Sequence, residues 1–150
     1  MPHIEIDVDT SLTPAEVIGA FTDFTERRTE LFPGLAPQYF KVHSQTETSA
    51  DVMEGTARPK IWAREVYDWS SGDSVSWKVV ESNVFDAGTV INVAPSATEG
   101  GSRVHVSWER RAKSLKGRLL LMLLTASGGR FMHRYYNDMF DDLEKKLAGA

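Results

Sequence analysis

The chain contains no cysteine, which excludes disulfides, zinc–thiolate sites and thiol catalysis. It also lacks an excess of positive charge. The formal net charge is −4, whereas a nucleic-acid-binding protein ordinarily presents a basic face, so nucleic acid is not expected as a main partner. The opening Met1-Pro2-His3-Ile4-Glu5 has neither the basic nor the apolar region of a signal peptide, and a cytoplasmic protein is expected. No integral membrane segment is expected either. The apolar run Leu119-Leu120-Leu121-Met122-Leu123-Leu124 is far shorter than the roughly 20 residues that a helical crossing needs, and Ser127-Gly128-Gly129-Arg130 ends it. The histidines His3, His43, His105 and His133 are scattered and show no H-x-x-x-H spacing, so no metal is expected. Ala87-Gly88-Thr89 and Ser127-Gly128-Gly129 lack the glycine spacing and lysine of a phosphate loop. No Ser–His–Asp constellation stands out. A cofactor-free protein is the expectation.

What is present is an ordinary globular composition, 41% hydrophobic and 25% charged over 150 residues, enough for one domain with a substantial core. Residues 3–9 alternate apolar Ile4, Ile6 and Val8 with polar neighbours, the period of a half-buried strand. Thr13-Pro14-Ala15-Glu16 is a helix start, with a capping threonine, a first-turn proline and a glutamate three residues after the cap. Residues 25–31 offer a second helical piece before Phe32-Pro33-Gly34 breaks it. Strand-like segments follow at 39–48, 50–57, 60–69, 74–82, 87–95 and 102–112. Their short spacing favours antiparallel hairpins. A helical segment begins near Leu115. In it Tyr136, Phe140, Leu143 and Leu147 form an apolar stripe, with Met132 and Met139 beside it. Gly128-Gly129 is expected to break or kink that segment.

This order resembles the START-like (SRPBCC) superfamily, which includes the polyketide cyclase/dehydrase and lipid-transport proteins. The residues that carry the likeness are the opening strand, the Thr13-Pro14-Ala15-Glu16-Val17 helix start and the strand pair Ala63–Trp69 and Val75–Val79. Ala87-Gly88-Thr89-Val90, Gly101–Val106 and the C-terminal helix complete it. The resemblance implies an α+β helix-grip fold: a curved seven-stranded antiparallel sheet around a long C-terminal helix, with two short helices after the first strand. A cavity between sheet and helix is implied as well, filled in the family by lipids, polyketides, steroids, quinones or plant hormones. Only some members are enzymes. The double glycine departs from the family's uninterrupted last helix.

With Ser70–Ser74 as a turn, Trp69 pairs with Val75, Tyr67 with Trp77 and Glu65 with Val79, and all six share one face. A one-residue slip would bring Arg64 inside in place of Glu65. Val104, Val106 and Trp108 form the inner face of the last strand, and Arg110 continues it. Glu65 is the sharpest candidate. Among apolar neighbours its pKa should rise by desolvation, suiting it to acid/base chemistry or to anchoring a ligand hydroxyl. The competing reading pairs it with an arginine such as Arg110. Tyr67, Trp69, Trp77 and Trp108, closed over by Met132, Tyr136, Met139 and Phe140, either line a ligand site or form ordinary core. The basic cluster Arg103, Arg110, Arg111, Lys113, Lys116 and Arg118 either meets an anionic ligand or lipid headgroup at the cavity mouth or is a solvated rim.

The favoured reading is binding or transport of a small hydrophobic molecule without catalysis. The alternative is a cofactor-free polyketide cyclase/dehydratase in which Glu65 and Tyr67 carry the acid/base step. A third reading gives Leu119–Leu124 to a homodimer contact.

Overall fold

The computed structural model describes residues 3–109, 115, 119, 122 and 130–149. Strand β1 (His3–Thr10) leads into helix α1 (Pro14–Phe21), the single-turn helix α2 (Arg28–Leu31) and a 3-10 turn at Pro37–Tyr39. Six strands follow: β2 (Lys41–Gln45), β3 (Ser49–Thr56), β4 (Ile61–Asp68), β5 (Val75–Ser82), β6 (Val90–Thr98) and β7 (Gly101–Glu109). Helix α3 (Arg130–Ala148) comes last. The strands form one antiparallel sheet in the order β1-β7-β6-β5-β4-β3-β2. Every neighbour pair except β1–β7 is consecutive in sequence, as the short breaks between strands imply. This is the expected helix-grip arrangement.

Each element follows from its local chemistry. In β1 burial alternates residue by residue, with Ile4, Ile6 and Val8 inward. Helix α1 opens with a full capping box. Glu16 N–H donates to the Thr13 hydroxyl at 3.2 Å, and Thr13 N–H donates to Glu16 Oε1 at 3.0 Å, so two helix-end donors are satisfied reciprocally. The core is the inward face of the sheet against one stripe of each helix. Val52, Val75, Val93, Val104 and Val106 meet Val17 and Phe21 from α1 and Phe140 and Leu143 from α3. Full burial of such a side chain contributes about 1.5–3 kcal/mol.

The strand boundaries differ most from expectation in β2 and β6, and elsewhere by a residue or so at the described ends. Strand β2 is shorter, because Tyr39 belongs to the 3-10 turn and Thr46 N–H already closes the β2–β3 turn on Ser49 O. Strand β6 starts three residues later than expected, because Asp86–Thr89 forms a turn with Gly88 at φ +98°. It also runs on through Pro95 to Thr98, where the paired residues Thr98 and Gly101 enclose a turn of only two residues. The segment expected to be helical from Leu115 onward is helical at Leu115, Leu119 and Met122. Gly128-Gly129 and Arg110 lie outside the described residues, as do Leu120, Leu121, Leu123 and Leu124.

Side-chain locks fix the small helices against the rest. The Thr10 hydroxyl and Ser11 N–H donate to Glu144 Oε1 at 2.6 and 2.7 Å, tying the β1–α1 turn to α3. The Ser102 hydroxyl donates to Leu12 O at 2.7 Å. Lys146 of α3 donates to Glu30 O of α2, which fixes where α2 sits on the sheet.

Glycine is required where the chain enters β7. Gly101 has φ +145°, and a Cβ there would strike Thr10 O and the Ser11 backbone. Gly19, exposed on α1, has open space around the same atom. We expect Gly101→Ala to lower unfolding free energy by about 1–3 kcal/mol and Gly19→Ala to raise it by about 0.5–1 kcal/mol. Urea denaturation of the two variants beside the parent protein reads both signs.

Candidate functional site

Strands β3 and β4 each place a glutamate on the face that the helices cover. Along β3 the inward positions are Ala50, Val52 and Glu54, and along β4 they are Ala63, Glu65 and Tyr67. Val52 pairs with Glu65 and Glu54 with Ala63, so the two glutamates are diagonal neighbours on one face. Helix α2 lowers Arg28 onto them, and that side chain is only 2% exposed.

The guanidinium of Arg28 is bonded on all sides. Nε donates to Glu54 Oε1 at 2.7 Å, Nη1 to Phe21 O at 2.7 Å and Nη2 to the Tyr67 hydroxyl at 3.0 Å. Its central carbon lies 4.6 Å from the Phe24 ring centre and 4.9 Å from that of Phe32, so aromatic rings supply cation–π contact as well. Tyr67 in turn donates to Glu54 Oε2 at 2.8 Å. Arg28, Tyr67 and Glu54 thus close a ring of charge-assisted hydrogen bonds in an apolar interior.

Electrostatics assign the protons. Burial pushes the Glu65 carboxyl well above its usual range, the neighbouring Glu54 carboxylate pushes it further, Arg28 opposes the rise, and a hydrogen bond between the two glutamates adds to it. Glu65 is therefore the protonated member of the pair and donates to Glu54. Burial likewise raises the Tyr67 phenol, helped by Glu54 and Glu65, so Tyr67 is a neutral hydroxyl. Burial works most strongly against the Arg28 cation, but Glu54, Tyr67 and Glu65 together outweigh it and the charge is retained. One cation, one carboxylate and one carboxylic acid make a neutral group. That balance is what permits all three to leave water.

The register that places Glu65 inside is the one read from the sequence. Tyr67 pairs with Trp77 and Glu65 with Val79. Arg64 lies on the other face, where it forms a two-pronged bond to Asp51 at 2.9 Å. A bulge between Arg64 and Glu65 leaves Val80 unpaired opposite them and 41% exposed. The arginine found beside Glu65 is Arg28, from a helix that the sequence reading had not connected to this strand.

The aromatic residues expected to line a cavity make extensive contact with one another. Trp77 stacks on Tyr67 at 4.9 Å and on Phe21 at 5.9 Å, and Phe24 meets Tyr67 edge-on and Trp69 face-on. Trp108 donates its indole N–H to the Tyr136 hydroxyl at 2.8 Å, joining sheet to helix. Met132, Tyr136 and Phe140 are buried, while Trp69, Trp108 and Met139 are partly buried against the same cluster. One helix residue behaves differently. Tyr135 is 49% exposed, yet burial lifts its phenol pKa and the Glu54 charge adds to the rise.

Two members of the buried group were not foreseen, Arg28 and Glu54. Glu54 carried the same signal as Glu65, a charge in phase with inward Ala50 and Val52. Arg28 carried none, because a helix of four residues has no readable period.

Elsewhere, a surface depression of about 450 Å³ is lined by the β1–α1 turn, the β6–β7 turn and Glu144. It is open, and none of the aromatic cluster lines it. On the outer face of the sheet His105 lies 2.9 Å from Asp7 and 3.5 Å from Glu5. Among the described residues no group of histidine and carboxylate side chains is arranged to hold a metal ion. No described helix is long and apolar enough to cross a membrane.

A family model described as polyketide cyclase/dehydrase and lipid transport matches residues 1–148. No curated protein matches the chain. Protein TTHA0849 from Thermus thermophilus superposes with a TM-score of 0.74 at 15% identity, covering 99% of both chains. The ZhuI aromatase/cyclase from Streptomyces sp. R1128 gives 0.72 at 12% identity, over 97% of this chain and 94% of its own. A START superfamily protein from Mycobacterium smegmatis gives 0.71 at 9% identity, over 95% and 97%. At these identities the likeness to the solved structures is one of fold.

Arg28→Met removes the cation and leaves Glu54 buried without it. We expect a loss of about 3–5 kcal/mol in chemical denaturation, and a loss below about 1 kcal/mol would show that the ring does not hold the core. Glu65 gives a pH signature. Its folded pKa is raised, so its contribution is complete below the unfolded value near 4.5 and is lost as pH rises through the folded value. Glu65→Gln does not titrate there, and its stability relative to the parent should climb as pH rises above about 5. Parallel profiles would mean that Glu65 is an ordinary ionised glutamate.

Proposed function

The chain belongs to the polyketide cyclase/dehydrase and lipid-transport family, and from that premise we propose that it is a cytoplasmic, cofactor-free START-like domain that binds a small hydrophobic guest. The guest is a lipid, a polyketide or another aromatic molecule, held between the sheet and α3 by the site residues read from the sequence, with Arg28 and Glu54 behind them. The observation that carries this reading is the Glu65 carboxyl, buried on the inward face of β4 with Tyr67, diagonal to Glu54 and beside the aromatic cluster.

That group suits recognition of a neutral guest. Glu65 in its acid form carries no net charge, and with its proton engaged by Glu54 it offers a carboxyl oxygen that accepts from a guest hydroxyl, while the ring of Arg28, Glu54 and Tyr67 holds it in place. A few fixed polar groups among aromatic walls are the usual makeup of a small-molecule site. The Tyr67 hydroxyl, by contrast, already donates to Glu54 and accepts from Arg28. It is a positioning residue and has no donor left for a substrate.

The second reading, a cyclase or dehydratase, is favoured by the proton that Glu65 retains. In a dehydration Glu65 would protonate a departing hydroxyl, water would leave as the C–O bond breaks, and the resulting carboxylate would take a proton from the adjacent carbon. The site holds one acid able to do this and no nucleophile among the described residues. Binding therefore takes precedence over catalysis.

Titration of delipidated protein with long-chain fatty acids and with anthraquinone-type polyketides, followed by tryptophan fluorescence, tests the proposal. We expect saturable quenching by at least one class, unchanged affinity in Glu65→Gln and at least tenfold weaker binding in Glu65→Leu. Quenching by neither class, or indifference to Glu65→Leu, would refute the binding site. Turnover abolished by Glu65→Gln with binding intact would establish the enzyme reading.

A further inference from the structure

Two buried polar groups on the inner face of the sheet lack a partner among the described residues. The first is the carboxyl of Glu65, which is 8% exposed. Its proton is engaged by Glu54, and the donors nearby are committed elsewhere. Arg28 Nε and the Tyr67 hydroxyl donate to Glu54, Arg28 Nη1 to Phe21 O and Nη2 to Tyr67. No described group donates to the Glu65 oxygens. The second is the indole of Trp77, also 8% exposed. Its ring lies between Tyr67 at 4.9 Å and Phe21 at 5.9 Å, and its N–H finds no acceptor among the described residues. The indole N–H of Trp108, by contrast, is taken by Tyr136. Buried donors and acceptors ordinarily have partners, because an unmade hydrogen bond in a dry interior costs free energy.

The two groups are also neighbours. Glu65 pairs with Val79 and Tyr67 with Trp77, so Glu65 and Trp77 stand diagonally across β4 and β5 on one face. Diagonal positions lie roughly 7–8 Å apart, a span that one oxygen closes with a hydrogen bond on each side. Building on the guest-binding reading, we infer that the guest is an uncharged molecule bearing a hydroxyl, which donates to Glu65 and accepts from the Trp77 indole N–H. One group offers an acceptor and the other a donor, and a hydroxyl gives and takes at a single atom.

Other functional groups meet only half of this demand. A ketone or ether oxygen accepts from Trp77 but gives nothing to Glu65. A carboxylate has the same defect, and it brings a charge to a group whose own charges already balance. An ammonium donates to Glu65, leaves Trp77 unmet and again adds an unbalanced charge. Both partners of the hydroxyl are held before a guest arrives. Glu54 is fixed by Arg28 and Tyr67 and in turn fixes Glu65, while stacking on two rings fixes Trp77, so little ordering is left to be done on binding. Selection acts on the functional group and is indifferent to whether an alkyl or an aromatic skeleton carries it.

Calorimetric titration of the delipidated full-length protein at neutral pH with two matched sets tests this. One set is decanol, decyl methyl ether and decanoate, the other naphthol, methoxynaphthalene and naphthoate. In whichever set binds, we expect the hydroxyl compound to bind at least tenfold more tightly than its ether and its carboxylate. Glu65→Leu should erase that preference, and Glu65→Gln, which keeps a carbonyl acceptor, should retain it. Trp77→Phe preserves a stacking ring and removes the N–H, and with unchanged circular dichroism it should reduce the preference at least threefold. Equal affinity for the hydroxyl compound and its ether, or a preference that survives Glu65→Leu, would overturn the hydroxyl assignment while guest binding stands. Binding by no member of either set would overturn the guest-binding reading along with it, so the two failures are told apart.

Discussion

Arg28 enters the interior as a cation, and much of the surrounding structure serves to compensate that charge. A guanidinium taken from water without a partner costs several kcal/mol. Here the cost is offset from three directions: the Glu54 carboxylate on β3, the Phe21 carbonyl at the end of α1 and the Tyr67 hydroxyl on β4. These donors and acceptors come from four separate elements. The network therefore sets where α1 and α2 sit on the sheet, and Lys146 bonding to Glu30 O sets where α2 meets α3.

A second consequence concerns Glu65. With one cation available and Glu54 already ionised against it, a further carboxylate nearby would be uncompensated, so Glu65 keeps its proton. A neutral acid held by a rigid neighbour differs chemically from a free glutamate. Its proton is engaged by Glu54, which leaves a carboxyl oxygen as acceptor for an uncharged guest in the binding reading and a proton to release in the enzymatic one. Both readings thus arise from the same neutral acid.

Part of this site was legible in the sequence and part was not. Glu65 could be read because alternation in β4 places a charge in phase with Tyr67 and, across the strand pair, with Trp77 and Val79; the structure reproduces that register. Glu54 was equally legible from Ala50 and Val52 but is distinguished only when its neighbour on β4 is known. The aromatic residues were identified as inward-facing, while their mutual stacking depends on ring orientations that no spacing encodes. The late start of β6 reflects turn chemistry at Gly88, where a positive φ overrides the strand propensity of the residues around it.

The sequence by itself determined the order of elements, the antiparallel meander, the capped first helix and the inward faces of β1, β4, β5 and β7. These features follow from period, local hydrogen bonding and composition, which act over a few residues. Only the tertiary structure decided that Arg28, 26 positions before Glu54 and 39 before Tyr67, closes a neutral ring with them, and that Glu65 is consequently an acid. Charge compensation in a dry interior depends on distance through space, and residues remote in sequence become neighbours only when the sheet and its helices come together.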